Sequence, residues 1–153
     1  MGFEDISLKG RALRLLAGRE HSRAELQRKL SPHETAPGEL AKALDELEAK
    51  GFINEQRVLE SVVHRRSSRL GAARVRQELQ ARGLDPQAVA EAVAGLQGSE
   101  EARAGEVWRR KFGQPPADAG ARAKQMRFLL TRGFSAEVVR RVVSGASVDG
   151  AED

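Results

Sequence analysis

Few side chains in this chain of 153 residues could do chemistry. The three histidines, His21, His33 and His64, lie far apart, and no two of them have the spacing of metal ligands on one helix or hairpin. The sequence has no cysteine, which excludes disulfides and thiolate metal sites. It also lacks a glycine-rich phosphate loop and a serine in a nucleophile context. We therefore expect no catalysis, no metal and no cofactor.

The remaining candidates are basic side chains, which are unevenly distributed. Residues 1–52 carry nine basic and nine acidic residues, whereas residues 97–146 carry ten basic and five acidic ones. Guanidinium groups bind phosphates and carboxylates through a planar fork, so the skew indicates a nucleic-acid or acidic-protein partner. The alternative is a GC-rich genome that encodes arginine where others encode lysine.

The candidate partner- or DNA-binding residues share a position in the basic part of the chain, between residues 65 and 132. They are Arg65, Arg69, Arg74, Arg76, Arg82, Arg109, Arg110, Lys111, Lys124, Arg127, Phe128 and Arg132. Phe128 has two interpretations. It packs against a neighbouring helix, or it is an exposed aromatic ring in a basic surface that anchors a partner or stacks on a base.

The elements that position these residues are short helices in pairs. A basic residue, a glycine, an apolar residue and a helix-capping residue follow one another at Arg82-Gly83-Leu84-Asp85 and again at Arg132-Gly133-Phe134-Ser135. Glycine after a basic last turn ends a helix, and Asp or Ser begins the next one. A looser copy lies upstream, where Leu26 and Leu30 precede Leu40, Leu44 and Leu47. The chain is thus predicted to be an array of three helical modules.

Helix signals set the boundaries of these modules. The predicted domains are 6–52, 53–97 and 98–146, each of three helices, followed by a disordered acidic tail at 147–153. Ser22-Arg23-Ala24-Glu25 is a capping box for a helix over 23–30, and Asn54 caps a helix that extends to about Arg69. No strand pattern is present, so the fold class is all-α.

The two paired helices also resemble a helix-turn-helix, in which the second helix reads the major groove. The helix from Pro86 offers Gln87 and Glu91 but no basic residue for base edges. The helix from Ala136 offers Arg140 and Arg141, which suit phosphates better than bases. An independent DNA-binding transcription factor is therefore the alternative function, and a module that binds a long charged partner is favoured.

Five segments in order resemble the RecX family of bacterial recombination regulators. They read ALRLLAGREHSRAELQRKL, KGFINEQRV, SRLGAARVRQELQARGL, WRRKFG and KQMRFLLTRGFSAEVVRRVV, and they extend from about Leu8 to Val143. The first module departs from the pattern because it has Leu30-Ser31-Pro32 where the others have the basic–Gly turn.

The resemblance implies three tandem three-helix, helix-turn-helix-like repeats in a curved, elongated array. It also implies a protein that binds the RecA–single-stranded DNA filament and inhibits the strand-exchange, ATPase and coprotease activities of RecA. The expected partners are the RecA filament and, without sequence specificity, single-stranded and double-stranded DNA. We expect a cytoplasmic protein with no membrane partner, because the sequence has no targeting signal and no apolar segment long enough to span a membrane. We also expect a monomer.

Overall fold

The structure is a computed structural model that describes the backbone of residues 6–152 and the side chains of residues 6–145. Within these residues it contains nine α-helices, a short 3-10 turn at Ser31–His33 and no strand. The helices are α1 Leu8–Gly18, α2 Arg23–Leu30, α3 Glu39–Ala49, α4 Glu55–Arg66, α5 Ala72–Ala81, α6 Pro86–Gln97, α7 Glu100–Lys111, α8 Ala119–Thr131 and α9 Ala136–Glu152. The all-α prediction is confirmed.

Three of the predicted caps, Ser22, Asn54 and Ser135, begin their helices as expected. Ser22 accepts from the backbone N–H of Glu25 at 3.1 Å, and the Glu25 carboxylate accepts from the N–H of Ser22, which completes the capping box. Asn54 Oδ1 accepts from the N–H of Arg57 at 3.0 Å, and Ser135 Oγ accepts from that of Val138 at 3.2 Å. These bonds satisfy amide groups that have no partner inside the helix.

The described chain forms two compact units. Unit 1 contains the residues up to Ser61 together with Leu79–Asp85, and unit 2 contains Val62–Glu78 together with the residues from Pro86 onward. The core of unit 1 lies between α1, α2 and α3. Its buried side chains are Leu8, Ala12, Leu26, Leu30, Leu40, Leu44, Leu47 and Ile53.

Unit 2 has a second core between α7, α8 and α9. Its buried side chains are Ala104, Trp108, Leu129, Phe134, Val138, Val139 and Val143. The indole N–H of Trp108 donates to Gln125 Oε1 at 2.8 Å, and Gln125 Nε2 donates to the carbonyl of Gln114 at 3.1 Å. The buried indole N–H and the buried side-chain amide of Gln125 are thus paired, as a low-dielectric interior requires.

The basic–Gly turn after α5 packs against the beginning of α2 in unit 1. Gly83 has a φ of 72°, and a Cβ added there would lie 2.6 Å from the Cβ of Ala24. The hydroxyl of Ser22 donates to the carbonyl of Arg82. The turn therefore needs glycine both for its left-handed backbone and for the space that it occupies.

The equivalent turn after α8 packs in the same way against the beginning of α5 in unit 2. The N–H of Gly71 donates to the carbonyl of Arg132 at 2.8 Å. A Cβ on Gly71 would lie 2.3 Å from the backbone of Gly133, so the two segments cross with no room for a side chain. Here we name this contact the Gly71–Gly133 crossing.

Two local predictions are wrong. The helix predicted to reach Arg69 ends at Arg66, because the guanidinium of Arg103 binds the carbonyls of Ser67 and Leu70 at 2.7 Å and turns the chain there. The apolar spacing of α8 predicts one stripe of Met126, Leu129 and Leu130, but Leu130 is 43% exposed. Neighbouring residues on a helix point about 100° apart, so of the two leucines only Leu129 faces the core.

The tail predicted to be disordered, 147–153, instead continues α9 as far as Glu152. The side chains of this segment lie outside the described residues. In the described part of the chain, no helix is both long and apolar enough to span a membrane.

Candidate functional site

A cationic pocket lies on the surface of unit 2. It has a volume of about 280 Å³ and is lined by Ser68, Arg69, Val107, Arg110, Lys111, Phe128 and Arg132. Here we name these residues the Phe128 pocket. Five of them are residues predicted from the sequence, although they come from the chain after α4, from α7 and from α8.

Phe128 is half-buried at the centre of the pocket. Its ring packs edge-on against the ring of Phe112, with the ring centroids 5.5 Å apart. The guanidinium carbon of Arg132 lies 4.7 Å from the Phe128 centroid, and Lys111 Nζ lies 5.3 Å from it. These distances are those of cation–π contacts, which hold both cations over the ring.

The geometry favours the packing interpretation of Phe128 over base stacking. The ring forms a T-shaped pair with Phe112, which packs against the core of unit 2, and two cations lie over the ring. The ring of Phe128 instead serves as an apolar platform that positions two positive charges at the surface. Because the ring holds the two cations near one another, the entropy cost of ordering them around an anion is reduced.

Backbone contacts fix the positions of Arg69 and Arg132. Arg69 lies in the turn that Arg103 holds through the carbonyls of Ser67 and Leu70. Arg132 ends α8 at the Gly71–Gly133 crossing, where its carbonyl accepts from Gly71. The close approach of two glycines thus brings residues 63 positions apart in the sequence to one surface.

One residue that lines the pocket, Arg110, is paired with the carboxylate of Glu106 in α7. This carboxylate pairs with Arg109 at 2.5 Å and with Arg110 at 3.8 Å. Hydrogen bonding to Arg109 and the positive charges of Arg109 and Arg110 hold the pKa of Glu106 below its usual value. Arg69, Lys111 and Arg132 form no ion pair with any residue that the structure describes, so the pocket keeps a positive charge.

The other predicted residues lie elsewhere. Lys124 and Arg127 are exposed on α8, and Arg65 is exposed on α4. Arg76 lines a separate groove beside Leu130. Arg74 donates to the carbonyl of Thr131 at 2.9 Å and packs under Gly133, so its role includes the Gly71–Gly133 crossing.

Arg82 belongs to unit 1 and is already paired. Its guanidinium lies 3.2 Å from a carboxylate oxygen of Glu25, whose other oxygen binds Arg19 at 2.7 Å. Burial favours a raised pKa for Glu25, but the Arg19 hydrogen bond, the Ser22 amide and the Arg82 charge outweigh it and lower the pKa to about 2. Arg82 therefore stabilises the fold of unit 1.

Sequence reasoning missed Ser68 and Val107 as lining residues. Nothing in their residue types distinguishes them from other surface positions, and they join the site through the turn after α4 and through α7. In the part of the chain that the structure describes, no three His, Asp or Glu side chains are grouped as ligands for a metal ion.

These features define an all-α protein of tandem three-helix repeats with a preformed cationic surface. Three family models match the chain: the first three-helix domain of RecX over residues 9–47, the second over 54–93 and the third over 99–143. The chain therefore belongs to the RecX family of regulatory proteins.

Individual relatives agree with this assignment. The chain is 56% identical to the regulatory protein RecX of Leptothrix cholodnii over 90% of this chain and 88% of the relative. It is 53% identical to that of Ralstonia nicotianae over 94% and 90%. The crystal structure of RecX from Lactobacillus salivarius matches with a TM-score of 0.71 at 19% identity, over 92% of this chain and 95% of that one, and shows the shared fold.

Proposed function

We propose that this chain binds the RecA–single-stranded DNA filament and inhibits the strand-exchange, ATPase and coprotease activities of RecA, thereby regulating DNA repair. In this proposal it acts in the cytoplasm as a monomer, uses no cofactor and catalyses no reaction. The observation that carries the proposal is the Phe128 pocket, a positive surface held in place before binding, in a member of the RecX family.

The mechanism follows from the charge and the repeats. Phosphates of DNA and carboxylates of a protein surface both bind guanidinium groups. A repeat protein contacts successive subunits of a filament with successive repeats, so several moderate contacts add to a tight complex. A protein bound in this way hinders a second DNA strand or the growth of the filament without hydrolysing anything. The domain division at 52/53 and 97/98 remains part of the proposal.

An independent transcription factor is less well supported by the exposed residues of α6 and α9. In α6, Gln87 and Glu91 are exposed and neither is basic. In α9, Arg141 pairs with Glu137 of the same helix. Of the two neighbouring arginines, Arg140 is then the one that could contact DNA. Bidentate contacts to base edges need free Arg, Lys, Asn or Gln side chains in a row on one helix.

The test is binding of labelled RecA–single-stranded DNA filaments by the double variant Arg69→Ala plus Lys111→Ala. Both side chains are exposed, so the melting temperature should be unchanged and the affinity for the filament should fall about tenfold or more. The control is Lys42→Ala plus Lys50→Ala, which removes the same charge from exposed positions of unit 1. Equal losses in the two variants would mean that net charge, and not the pocket, determines binding.

A further inference from the structure

A second cluster of cations lies in unit 1, in the repeat whose net charge is zero. A pocket of about 210 Å³ is lined by Arg11, Arg14, Leu15, Lys29, Leu30 and His33. Here we name these residues the Arg11 pocket. The four polar side chains come from α1, from the last turn of α2 and from the 3-10 turn after it.

The charge of the Arg11 pocket is not neutralised within the structure. Arg11 and Arg14 form no ion pair with any carboxylate of the described residues, whereas Glu20, Glu25, Asp45, Glu46 and Glu48 pair with other basic residues. Lys9, for example, holds Glu46 at 3.2 Å. The first repeat thus has a net charge of zero in sequence and still carries a cationic cluster.

The ammonium group of Lys29 is held in place by a hydrogen bond to the buried side chain of His21. His21 Nδ1 lies 3.0 Å from the carbonyl of Arg19, which can only accept, so this nitrogen carries the proton. The other ring nitrogen, Nε2, then accepts from Lys29 Nζ at 3.1 Å. His21 is 2% exposed, and it therefore acts as a fixed support for the ammonium group of Lys29.

We propose that the Arg11 pocket is a second anion-binding site of this chain and that its ligand is the phosphate backbone of single-stranded DNA. Arg11 and Arg14 are three residues apart on α1, which places their Cβ atoms about 5–6 Å apart on one face. Two guanidinium forks at this spacing contact neighbouring phosphates of one strand, and Lys29 and His33 add donors from the other side. The apolar side chains of Leu15 and Leu30, which also line the pocket, can pack against the apolar face of a deoxyribose.

The pocket has the character of a backbone contact and not of base readout. No Phe, Tyr, Trp, Asn or Gln lines it, so the pocket offers a base no large aromatic stacking surface and no side-chain amide to pair with its edge. An acidic peptide is the competing ligand. The two guanidinium groups on one face of α1 favour the regularly spaced phosphates of a nucleic-acid strand over the carboxylates of a peptide. The inference rests on the proposed function in taking DNA as the partner, and its test omits RecA so that the two can fail separately.

The test is binding of a labelled single-stranded oligonucleotide by the full chain over a series of salt concentrations. For Arg11→Ala plus Arg14→Ala, the negative slope of log affinity against log salt should become shallower by about 1.4, because two fewer phosphates are neutralised on a single strand. Lys42→Ala plus Lys50→Ala is the control and should keep the slope of the parent chain. Arg11→Lys plus Arg14→Lys, which keeps the charge, should keep the slope but bind more weakly.

Three results would overturn the proposal. The first is an unchanged slope in the Arg11→Ala plus Arg14→Ala variant. The second is an equal decrease in the control, which would indicate a diffuse effect of net charge. The third is a variant that loses binding of poly-glutamate but not of the oligonucleotide, which would assign the pocket to an acidic protein. Circular dichroism melting of each variant confirms that the fold is retained.

Discussion

His21 shows how one buried residue makes the stability of unit 1 depend on pH. Burial lowers the pKa of His21, and the charges of Arg19 and Lys29 lower it further against the opposing effect of the hydrogen bond to the Arg19 carbonyl. Protonation at Nε2 would also set a second cation 3.1 Å from the Lys29 ammonium group. The folded state therefore favours neutral His21.

The sign of the pH effect follows from this lowered pKa. Unfolded histidine takes up a proton near pH 6.5, above the pKa of the folded state, so the free energy of unfolding should decrease as the pH falls below about 6.5. Between pH 7.5 and 5.5 we expect a decrease of up to about 1.4 kcal/mol per pH unit below that point. The measurement is urea denaturation at a series of pH values.

Two histidine variants separate this effect from other titrations. His21→Gln should remove the pH dependence in this range, whatever its effect on stability at pH 7.5. His33→Gln, at an exposed position, should keep the dependence. The interpretation fails if the two variants show the same pH profile.

Among single residues, sequence reasoning succeeded where a local signal exists. Ser22, Asn54 and Ser135 were recognised as caps because the capping side chain bonds to an amide three residues away. Arg82 and the Arg11 pocket could not be recognised. Whether a guanidinium is paired or free depends on carboxylates distant in the sequence, such as Glu25 for Arg82.

At the scale of elements, the Gly71–Gly133 crossing holds α5 and α8 together in unit 2. Gly71→Ala places a Cβ 2.3 Å from backbone atoms, which cannot move as a flexible side chain can. We expect a loss of about 1–3 kcal/mol or more in the free energy of unfolding. The change should also weaken partner binding, since the crossing positions Arg132.

Gly95 offers the matched control for this prediction. It lies in α6, and a Cβ there would meet no atom within 4 Å. Gly95→Ala should leave the protein equally stable or stabilise it by up to about 1 kcal/mol, because alanine is the better helix former. Chemical denaturation of both variants gives the comparison, and equal effects would mean that the crossing is not a tight contact.

Leu79 and Leu129 test the register of the repeated helices. Each precedes a basic–Gly turn by four residues or fewer, and each is 0% exposed. Leu79→Ala and Leu129→Ala should each cost about 2–5 kcal/mol by removing buried methyl groups and leaving a cavity. Leu130→Ala is the control at an exposed neighbour and should cost much less. Similar melting temperatures for all three would contradict the assigned packing.

The repeat periodicity explains why the elements were predictable. Apolar spacing and the repeated Arg-Gly turn identify the helices, the turns and the buried leucines without any knowledge of tertiary contacts. The end of α4 was misjudged because Arg103, far along the chain, binds the carbonyls that turn the backbone there. Leu130 was assigned to the buried stripe of α8 because it is apolar and adjacent in sequence to Leu129, and the sequence alone does not show which of the two faces the core.

At the scale of the whole molecule, two cationic pockets lie in two compact units of a RecX family member. Summed charge predicted the pocket of unit 2 and concealed that of unit 1, since a neutral total says nothing about which faces carry the charges. Binding through several such sites needs no single strong contact, because linked weak contacts raise the overall affinity. Function should therefore decline in steps as the pockets are removed one at a time.

The central claim is that this chain acts on RecA by binding its filament. The most direct measurement is the ATPase activity of RecA on single-stranded DNA, titrated with the protein at amounts below one per RecA subunit. We predict that hydrolysis falls as the protein is added, and that the Arg69→Ala plus Lys111→Ala variant inhibits less well than the Lys42→Ala plus Lys50→Ala control. Unchanged hydrolysis, together with tight and sequence-dependent binding of duplex DNA, would contradict the claim and favour a transcription factor.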